Sequence, residues 1–347
     1  MALLGHGCAA LGAALWLAGT AQAQQASTAA AVTASSEAAV ATLTAVGDIR
    51  LDGPVGEIIR RDGAAAPTAA VRDRLQADIV FGNLECPLTQ GGVRALGKTW
   101  TFRAPARSLE ALKAAGFNLL NIANNHVMDY GPQGFRDTLA ALEAAGLPFI
   151  GGGKDRAEAE RLRVVEVRGL RVGLIGFTST FPESAWAGPS KPGVAYSDYD
   201  RAGGLIRQAR SLCDVLVVSF HGGTELAVEP NDVQKAFARL AIDAGADVFL
   251  GHHPHVIQPM EIYKGKPIIY SLGNFLFVSP HSETRLTVAA RIRLSTSGVE
   301  SIDFLPLDTD WGRLIPATAA QRAELLSALD RTGAISAQPQ KFRFVEP

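Results

Sequence analysis

Short runs of valine, isoleucine, leucine and phenylalanine alternate along this chain with longer stretches that have one apolar face. Apolar runs of this length are typical of buried strands, and apolar residues that recur every three to four positions are typical of helices. The predicted strands are residues 42–46, 79–82, 119–123, 172–177, 215–220 and 248–250. The predicted helices between them are residues 106–115, 134–145, 200–211 and 232–244. This order predicts an α/β layered domain with helices on both faces of the sheet.

The pattern changes towards the end of the chain. Residues 286–294 and 301–307 alternate apolar and polar side chains, which predicts an antiparallel pair of strands. Residues 318–330 have the pattern of a final helix. The sequence contains no internal repeat and no linker rich in proline and glycine between these parts. It therefore predicts one folded domain from residue 42 to residue 347.

Composition and charge limit the classes of function. The 347 residues are 47% hydrophobic and 19% charged, which is enough apolar material for a sizeable core. The 33 basic and 34 acidic residues leave a net charge of −1. Such a chain has no overall field that would attract nucleic acid, so we expect no nucleic acid as a partner.

The first 23 residues differ in composition from the rest. They are apolar and small and end in Ala21-Gln22-Ala23, a cleavage site of the A-x-A type, so we interpret residues 1–23 as a signal peptide. Residues 24–41, rich in alanine, serine and threonine, are predicted to form a flexible leader. We expect a secreted or periplasmic protein, with membrane association through an uncleaved N-terminus as the alternative. Cys86 and Cys213 remain after cleavage and could pair or stay free.

Polar side chains that can bind metal ions follow five of the predicted strands. Ligands bind at the carboxyl ends of the strands in an open α/β sheet, so these side chains are expected to meet. They are Asp48, then Asn83 and Glu85, then Asn124, Asn125, His126 and Asp129, then His221, and finally His252, His253 and His255. Taken singly, Asn125 could be a helix cap, Glu85 a loop charge and His221 a core histidine. Together they form a mixed nitrogen and oxygen set that suits one or two divalent transition metals, Mn, Fe, Zn or Ni, better than Mg or Ca.

Six motifs occur in a fixed order between residues 42 and 307. They are Gly47-Asp48, Asn83-Leu84-Glu85, Ala123-Asn124-Asn125-His126 with Asp129, Phe220-His221-Gly222-Gly223 with Glu225, Gly251-His252-His253-Pro254-His255, and Tyr270-Ser271-Leu272-Gly273-Asn274-Phe275. This series resembles the CapA family of poly-γ-glutamate capsule biosynthesis proteins, whose members look like calcineurin-like metallophosphoesterases. The resemblance implies a four-layered α/β/β/α sandwich with a dimetal centre.

The resemblance also implies a role for each of these residues. The metal ligands would be Asp48 and His255 for the first metal, Asn125, His221 and His253 for the second, and Glu85 as the bridge between them. His126 would protonate the leaving oxygen, and Asp129 and Glu225 would orient imidazoles. The residues expected on the substrate side are Asn83, Asn124, Glu225, Tyr270 and Asn274. His252 stays ambiguous, because a frame in which Gly-His-x-x-His binds the metal is also open.

Two positions depart from the superfamily pattern. Glu85 stands where the superfamily has its bridging Asp, and the first motif differs as well. The usual first motif is Asp-x-His, but this chain has Asp48-Ile49-Arg50, so one imidazole ligand of the first metal is missing. Arg50 cannot bind a metal, because its guanidinium is permanently protonated. We expect Arg50 to act in catalysis by contacting an anionic substrate.

Two functions follow from this interpretation. The first is an exported, metal-dependent hydrolase of the phosphoesterase type in capsule or poly-γ-glutamate biosynthesis, in which a metal-bound hydroxide attacks and His126 acts as the general acid. The second is a non-catalytic accessory subunit that binds an anionic polymer beside membrane synthase or export subunits. A pocket surrounded by Arg50, Lys98, Arg103 and Arg136 would favour the polymer. A tight pocket with few cations would favour small phosphoesters.

Overall fold

Two β-sheets form the frame of the protein in the computed structural model, which describes residues 39–346. The strands are β1 (Ala41–Ile49), β2 (Ile79–Leu84), β3 (Leu119–Asn121), β4 (Phe149–Ile150), β5 (Gly152–Gly153), β6 (Arg163–Val167), β7 (Leu170–Thr178), β8 (Gly193–Val194), β9 (Val215–His221), β10 (Val248–His252), β11 (Ile257–Tyr263), β12 (Lys266–Leu272), β13 (Leu286–Ser295), β14 (Gly298–Asp310), β15 (Arg313–Pro316) and β16 (Phe342–Phe344). The α-helices are α1 (Gly53–Asp62), α2 (Arg72–Leu75), α3 (Leu109–Ala115), α4 (Gly131–Ala145), α5 (Arg156–Ala159), α6 (Tyr199–Arg210), α7 (Asp232–Asp243) and α8 (Ala319–Leu329). None of the helices between residues 39 and 346 is long and apolar enough to span a membrane.

The first sheet, sheet I, has the strand order β15-β14-β13-β1-β2-β3-β4, with β16 paired to β14. Strands β1 to β4 are parallel, whereas β13 runs antiparallel to both β1 and β14. The second sheet, sheet II, has the order β11-β12-β10-β9-β7-β6, and its four central strands, β12, β10, β9 and β7, are parallel. The carboxyl ends of the parallel strands therefore lie together along one edge of each sheet.

Three apolar clusters separate four layers. In the middle cluster, side chains of sheet I such as Leu43 and Phe81 pack against side chains of sheet II such as Val217 and Leu250. A second cluster joins the other face of sheet I to α1, α3 and α4, and a third joins the other face of sheet II to α6 and α7. Burying one such leucine or phenylalanine stabilises the fold by about 1.5–3 kcal/mol. The predicted four-layered α/β/β/α sandwich is thus confirmed.

The two outer layers follow from the alternation of side chains along each strand. In β9, Val217 faces the middle cluster while its neighbour Val218 faces the helices, where it meets α6 through Ile206 and α7 through Phe237. Strands that are covered on both faces appear in the sequence as unbroken apolar runs. This explains why the six runs identified in the sequence correspond to β1, β2, β3, β7, β9 and β10.

Other boundaries differ from the prediction or lie beyond it. The signal peptide, residues 1–23, lies outside the described residues, as does most of the predicted leader, residues 24–41. Strand β1 already begins at Ala41, which is fully buried and pairs with Leu294, so the last leader residue belongs to the fold. Helix α1 was not predicted, and neither were the two-residue strands β4, β5 and β8, which are too short to show a period.

The two cysteines lie in different layers. Cys86 is buried between sheet I and its helices, and Cys213 is buried beneath α6 on the far side of sheet II. Both are free thiols. Of the two alternatives left open by the sequence, the structure shows the unpaired one.

Candidate metal centre

A β-bulge in β1 turns Asp48 towards the space between the sheets. Ala45 pairs with Phe81 and Asp48 pairs with Asn83, so three residues of β1 cover the length of two in β2. Ala45 faces the middle cluster, and strict alternation would point Asp48 to the helix side. The extra residue reverses that direction. Gly47 permits the bulge, because a Cβ there would lie 1.8 Å from the carbonyl oxygen of Gly273.

The other ligand-type side chains reach the same space by simple alternation. Ile79 and Phe81 face the middle cluster, so Asn83 and then Glu85 continue along that face beyond the end of the apolar run. On sheet II the same continuation follows Val217 and brings His221 inward at the end of β9. His253 and His255 come from the turn after β10, where their backbones have positive φ angles of 99° and 60°. Such angles are costly for residues other than glycine and are often found at functional sites.

Glu85 lies at the centre of the resulting cluster. Its Oε1 atom is 3.4 Å from Nε2 of His221 and 3.9 Å from Nε2 of His255. Nε2 of His221 is 3.1 Å from Nδ1 of His253 and 2.8 Å from Oδ1 of Asn125. Nδ1 of His255 is 3.3 Å from Oδ2 of Asp48. The structure therefore brings all six predicted metal ligands together.

Two groups of these residues have the geometry of metal sites, and they share Glu85. One group is Glu85, His221 and His253, and the other is Asp48, Glu85 and His255; in each, one ligand atom per residue lies within 4.8 Å of the others. A third group, Glu225 with His253 and His255, extends to the surface. Both carboxylate oxygens of Glu85 are buried and have no hydrogen-bond partner among the described residues. A buried carboxylate without a partner is strongly unfavourable, and a cation at this point would satisfy it, so these residues fit a divalent metal.

Two of the imidazoles are in the form that binds a metal at neutral pH, whereas His255 and Glu85 hold their protons more tightly than usual. Burial lowers the pKa of His253 to about 3 and holds the pKa of His221 well below its ordinary value, so both imidazoles present free lone pairs. Burial raises the pKa of Glu85 well above its ordinary value, and the charge of Asp48 raises it further. Burial acts in the same direction on Asp48, but the hydrogen bond to His255 and the charge of that imidazole leave the pKa of Asp48 lowered. Burial acts to lower the pKa of His255, but the charge of Glu85 and the hydrogen bond and charge of Asp48 raise it to about 9.

His126 lies beside this cluster in a separate arrangement. Its Nδ1 atom is 2.7 Å from Oδ2 of Asp129, and its ring stacks on Phe102 with 4.0 Å between the ring centres. Burial lowers the pKa of His126, while the hydrogen bond with Asp129 acts in the opposite direction. Lys98 forms an ion pair with Asp129 and donates from Nζ to the carbonyl oxygen of Asn125 at 2.6 Å. Asp129 therefore orients His126, as the resemblance implied.

A pocket of about 100 Å³ opens next to His126. Its lining consists of Arg50, Trp100, Phe102, His126, Glu225, Leu226, His255, Phe277, Val278, Ser279, Pro280 and His281. The phenylalanines and Trp100 were not identified in the sequence, because they lie in loops without any period that marks them.

Four of the residues expected on the substrate side do not line this pocket, namely Asn83, Asn124, Tyr270 and Asn274. Asn83 is fully buried and donates from Nδ2 to Oδ1 of Asp48 at 2.8 Å, and its other neighbours include Asn121, a residue that the sequence analysis missed. Asn124 caps the following turn, where its Oδ1 accepts from the backbone N–H groups of His126 and Val127.

Asn274 and Tyr270 are also held inside the protein. Asn274 is fully buried with its Oδ1 atom 2.9 Å from Nδ1 of His255, so it supports a ligand instead of facing the pocket. Tyr270 points to the helix side of sheet II and donates its hydroxyl to Glu261 at 2.6 Å. Of the five residues expected on the substrate side, Glu225 is the one that lines the pocket.

His252 takes no part in either metal-type group. Its imidazole faces the middle layer next to Phe81, both ring nitrogens lack hydrogen-bond partners among the described residues, and Nδ1 is 3.7 Å from Oδ1 of Asp48. The frame that uses His253 and His255 is therefore the one that the structure supports.

Comparison with known proteins agrees with this arrangement of motifs. The family profile of the bacterial capsule synthesis protein PGA_cap matches residues 42–279. The chain is 35% identical over 287 residues to the capsule biosynthesis protein CapA of Bacillus anthracis, which covers 80% of this chain and 70% of that protein. The chain belongs to this family of capsule synthesis proteins.

A second relative and one solved structure extend the comparison. The capsule synthesis protein is 33% identical over 283 residues to a "Probable polyglutamine synthesis accessory protein" of Mycobacterium tuberculosis, covering 76% of this chain and 74% of the relative. A crystallised novel phosphatase of Mycoplasma pneumoniae has 16% identity and a TM-score of 0.49, with coverage of 78% of this chain and 94% of the phosphatase.

Four positively charged side chains of this capsule synthesis protein were expected to favour an anionic polymer if they surrounded the pocket, and their environments differ. Arg50 lines the pocket, where its guanidinium pairs with Asp52. Lys98 is engaged by Asp129. The guanidinium of Arg103 lies 4.4 Å from the centre of the Tyr130 ring, and that of Arg136 bonds to Gln133 on the exposed face of α4. The four cations therefore do not surround the pocket.

Proposed function

We propose that this capsule synthesis protein is a metal-dependent hydrolase of the phosphoesterase type that acts in the production of capsule or poly-γ-glutamate. The observation that carries the proposal is the buried Glu85, whose two oxygens lack hydrogen-bond partners while three imidazoles and Asp48 surround it. A purely structural core would not retain such a carboxylate without a counter-ion. The family names of the relatives support the biological setting.

The residues of the site would have three roles, which are metal binding, proton transfer and contact with the substrate. Asp48, Glu85, Asn125, His221, His253 and His255 would hold one or two divalent transition metals. A metal bound there would polarise a phosphoester and lower the pKa of a water molecule. His126 lines the pocket and is oriented through Nδ1 by Asp129, so that in its imidazolium form it would give the proton on Nε2 to the leaving oxygen. Arg50 lines the same pocket and supplies a positive charge for the anionic substrate.

The accessory function remains the second candidate. The name of the mycobacterial relative favours it, because that protein is named as an accessory of polyglutamine synthesis. A site for an anionic polymer would need several unengaged cations. Lys98 is paired with Asp129, and Arg103 and Arg136 lie away from the pocket, so the charges favour a small phosphoester. In either case we propose that residues 1–23 direct export and that the protein acts outside the cytoplasm, beside membrane synthase or export subunits.

The test combines metal content with activity. The purified protein is loaded with Mn²⁺ or Zn²⁺, its metal content is measured by mass spectrometry, and hydrolysis of p-nitrophenyl phosphate is followed. We expect His253→Ala to lose metal and rate together and His126→Ala to lose rate while it keeps the metal. His281→Ala, an exposed histidine outside both metal-type groups, serves as the control for metal content. Equal rates for His126→Ala and the wild type would refute the catalytic function.

A further inference from the structure

Apolar side chains form half of the pocket wall beside His126. They are Trp100, Phe102, Leu226, Phe277, Val278 and Pro280. The charged members outside the metal centre are Arg50 and Glu225, one of each sign, so the pocket has no excess of positive charge beyond that centre. A polar or anionic leaving group would lose its bound water against this apolar wall and would gain few hydrogen bonds in return.

Trp100 belongs to a cluster of exposed apolar side chains. Its exposed fraction is 60%, and the same loop carries Val93 at 80% and Leu96 at 95%. Large apolar side chains concentrated in eight residues at a pocket are unusual for a protein surface and commonly mark a binding surface. Of these three side chains, Trp100 lines the pocket directly, so the loop brings an exposed aromatic ring to the reaction site.

The loop is fixed to the residue that orients His126. Asp129 accepts from the backbone N–H of Ala95 through its carbonyl oxygen and from that of Phe102 through Oδ2, each at 2.7 Å. Lys98 adds its ion pair to the same carboxylate. Asp129 therefore bonds both to the loop that carries Trp100 and to His126, so one residue links Trp100 to the proton donor.

We infer that the site selects phosphoesters whose leaving group carries a compact apolar or aromatic group, and that Trp100 determines this specificity. The inference rests on the proposed hydrolase function. In the reaction a water oxygen forms a bond to phosphorus, the ester P–O bond breaks, and the proton from His126 goes to the leaving oxygen. A proton of the attacking water then returns His126 to its starting state, and the products are the alcohol and inorganic phosphate. The volume of about 100 Å³ corresponds to roughly three water molecules, so the recess favours a compact leaving group. Aromatic contacts of this kind favour ring stacking on Trp100.

The test compares benzyl phosphate with 2-hydroxyethyl phosphate, two esters of alcohols with similar acidity, so that intrinsic reactivity does not separate them. Release of inorganic phosphate by the metal-loaded protein gives kcat and KM for each. We expect the wild type to prefer benzyl phosphate by about tenfold or more in kcat/KM. Trp100→Ala should lose this preference through a higher KM for benzyl phosphate, with little change for 2-hydroxyethyl phosphate. Trp100→Phe should retain most of it.

Trp311 provides the matched control, since it is a tryptophan with an exposed fraction of 67% that does not line this pocket. Trp311→Ala should keep the wild-type preference. Metal content and thermal unfolding of each variant show whether the centre and the fold are intact. Turnover of both esters without preference, or a preference that Trp100→Ala leaves unchanged, overturns the inference while the hydrolase function stands. Turnover of neither ester by the metal-loaded wild type refutes the hydrolase function and the inference with it.

Discussion

The guanidinium carbon of Arg50 lies 4.0 Å from the centre of the Phe102 ring, and the same ring stacks on the imidazole of His126. Arg50 occupies the position at which the superfamily pattern has an imidazole ligand. Its side chain is instead part of a stack that covers the proposed proton donor, and it pairs with Asp52. The missing ligand has therefore been replaced by a cation that packs on an aromatic face, an interaction that suits arginine better than lysine.

Substitution of Arg50 should reduce catalysis without removing metal. We expect Arg50→Ala to lower kcat/KM for a phosphoester on the order of tenfold, equivalent to about 1.4 kcal/mol, and Arg50→Lys to restore little of it, because an ammonium group cannot stack flat on Phe102. Steady-state kinetics and metal analysis check both statements. Arg136→Ala, on the exposed face of α4, is the control and should have wild-type kinetics. Loss of metal from Arg50→Ala would contradict this account of Arg50.

Glu85 should destabilise the folded protein when no metal is bound. Its carboxylate is buried without hydrogen bonds and lies near Asp48, so Glu85→Gln should stabilise the metal-free protein by about 1–3 kcal/mol at pH 8. Because the pKa of Glu85 is raised in the fold, the wild type loses stability as the pH rises above 4.5, and the advantage of the variant should shrink towards that pH. Thermal unfolding with a chelator at pH 5 and pH 8 measures this difference.

The same substitution should remove the stabilisation that metal gives. We expect added Mn²⁺ or Zn²⁺ to raise the Tm of the wild type and to leave that of Glu85→Gln nearly unchanged. Glu283→Gln, which alters an exposed carboxylate, should respond to metal as the wild type does. A Glu85→Gln variant that is less stable than the wild type without metal would show that the carboxylate has a partner which the structure does not reveal.

Metal binding should release protons below pH 9. His255 has a pKa of about 9 in the metal-free protein, so at pH 7 it carries a proton that a metal must displace. His253, with a pKa of about 3, is already neutral there and contributes none. The apparent affinity should therefore rise by up to about tenfold per pH unit from pH 6 to 9 and then level off. Calorimetric titration in two buffers of different ionisation enthalpy measures the proton release, and an affinity independent of pH over this range would disprove it.

Much of the site could be predicted because strand alternation extends beyond the end of each apolar run. His221 follows Val217 and Ser219 on one face of β9, so its inward direction can be obtained from the sequence. The direction of Asp48 could not be obtained in this way, because the bulge in β1 reverses it. The resemblance of the motifs identified Asp48 as a ligand, whereas the alternation of side chains along β1 predicts that it faces the helices.

The direction of Tyr270 could not be obtained from the sequence for a related physical reason. Ile269 faces the middle layer and Tyr270 the helices, but strand β12 is covered on both faces and its apolar run has no visible period. The sequence therefore cannot show which residues face the centre. The sequence does not show what Asn83 and Asn124 contact, because a polar side chain at a strand end can face the pocket or bond to a neighbouring residue. The hydrogen bonds of the structure show the second arrangement.

Lys98 should act as a positioning residue for His126. It lies in the exposed loop, but its ammonium group reaches inward to Asp129 and to the carbonyl oxygen of Asn125. Lys98→Met keeps the length of the side chain and removes the charge, so Asp129 should lose its ion pair and hold His126 less firmly, which should lower kcat on the order of tenfold with a smaller effect on KM. Lys98→Arg should rescue part of kcat, because the cation can still pair with Asp129.

A surface lysine separates this role from a general effect of charge. Lys154 pairs with Glu143 and its side chain is 64% exposed, so Lys154→Met removes one positive charge without disturbing the site and should have wild-type kinetics. Metal content should be unchanged in all three variants, since Lys98 bonds to the backbone of Asn125 and not to its side chain. If Lys98→Met raised KM alone and left kcat intact, Lys98 would bind the substrate, and the polymer-binding function would gain the cation that the structure shows engaged by Asp129.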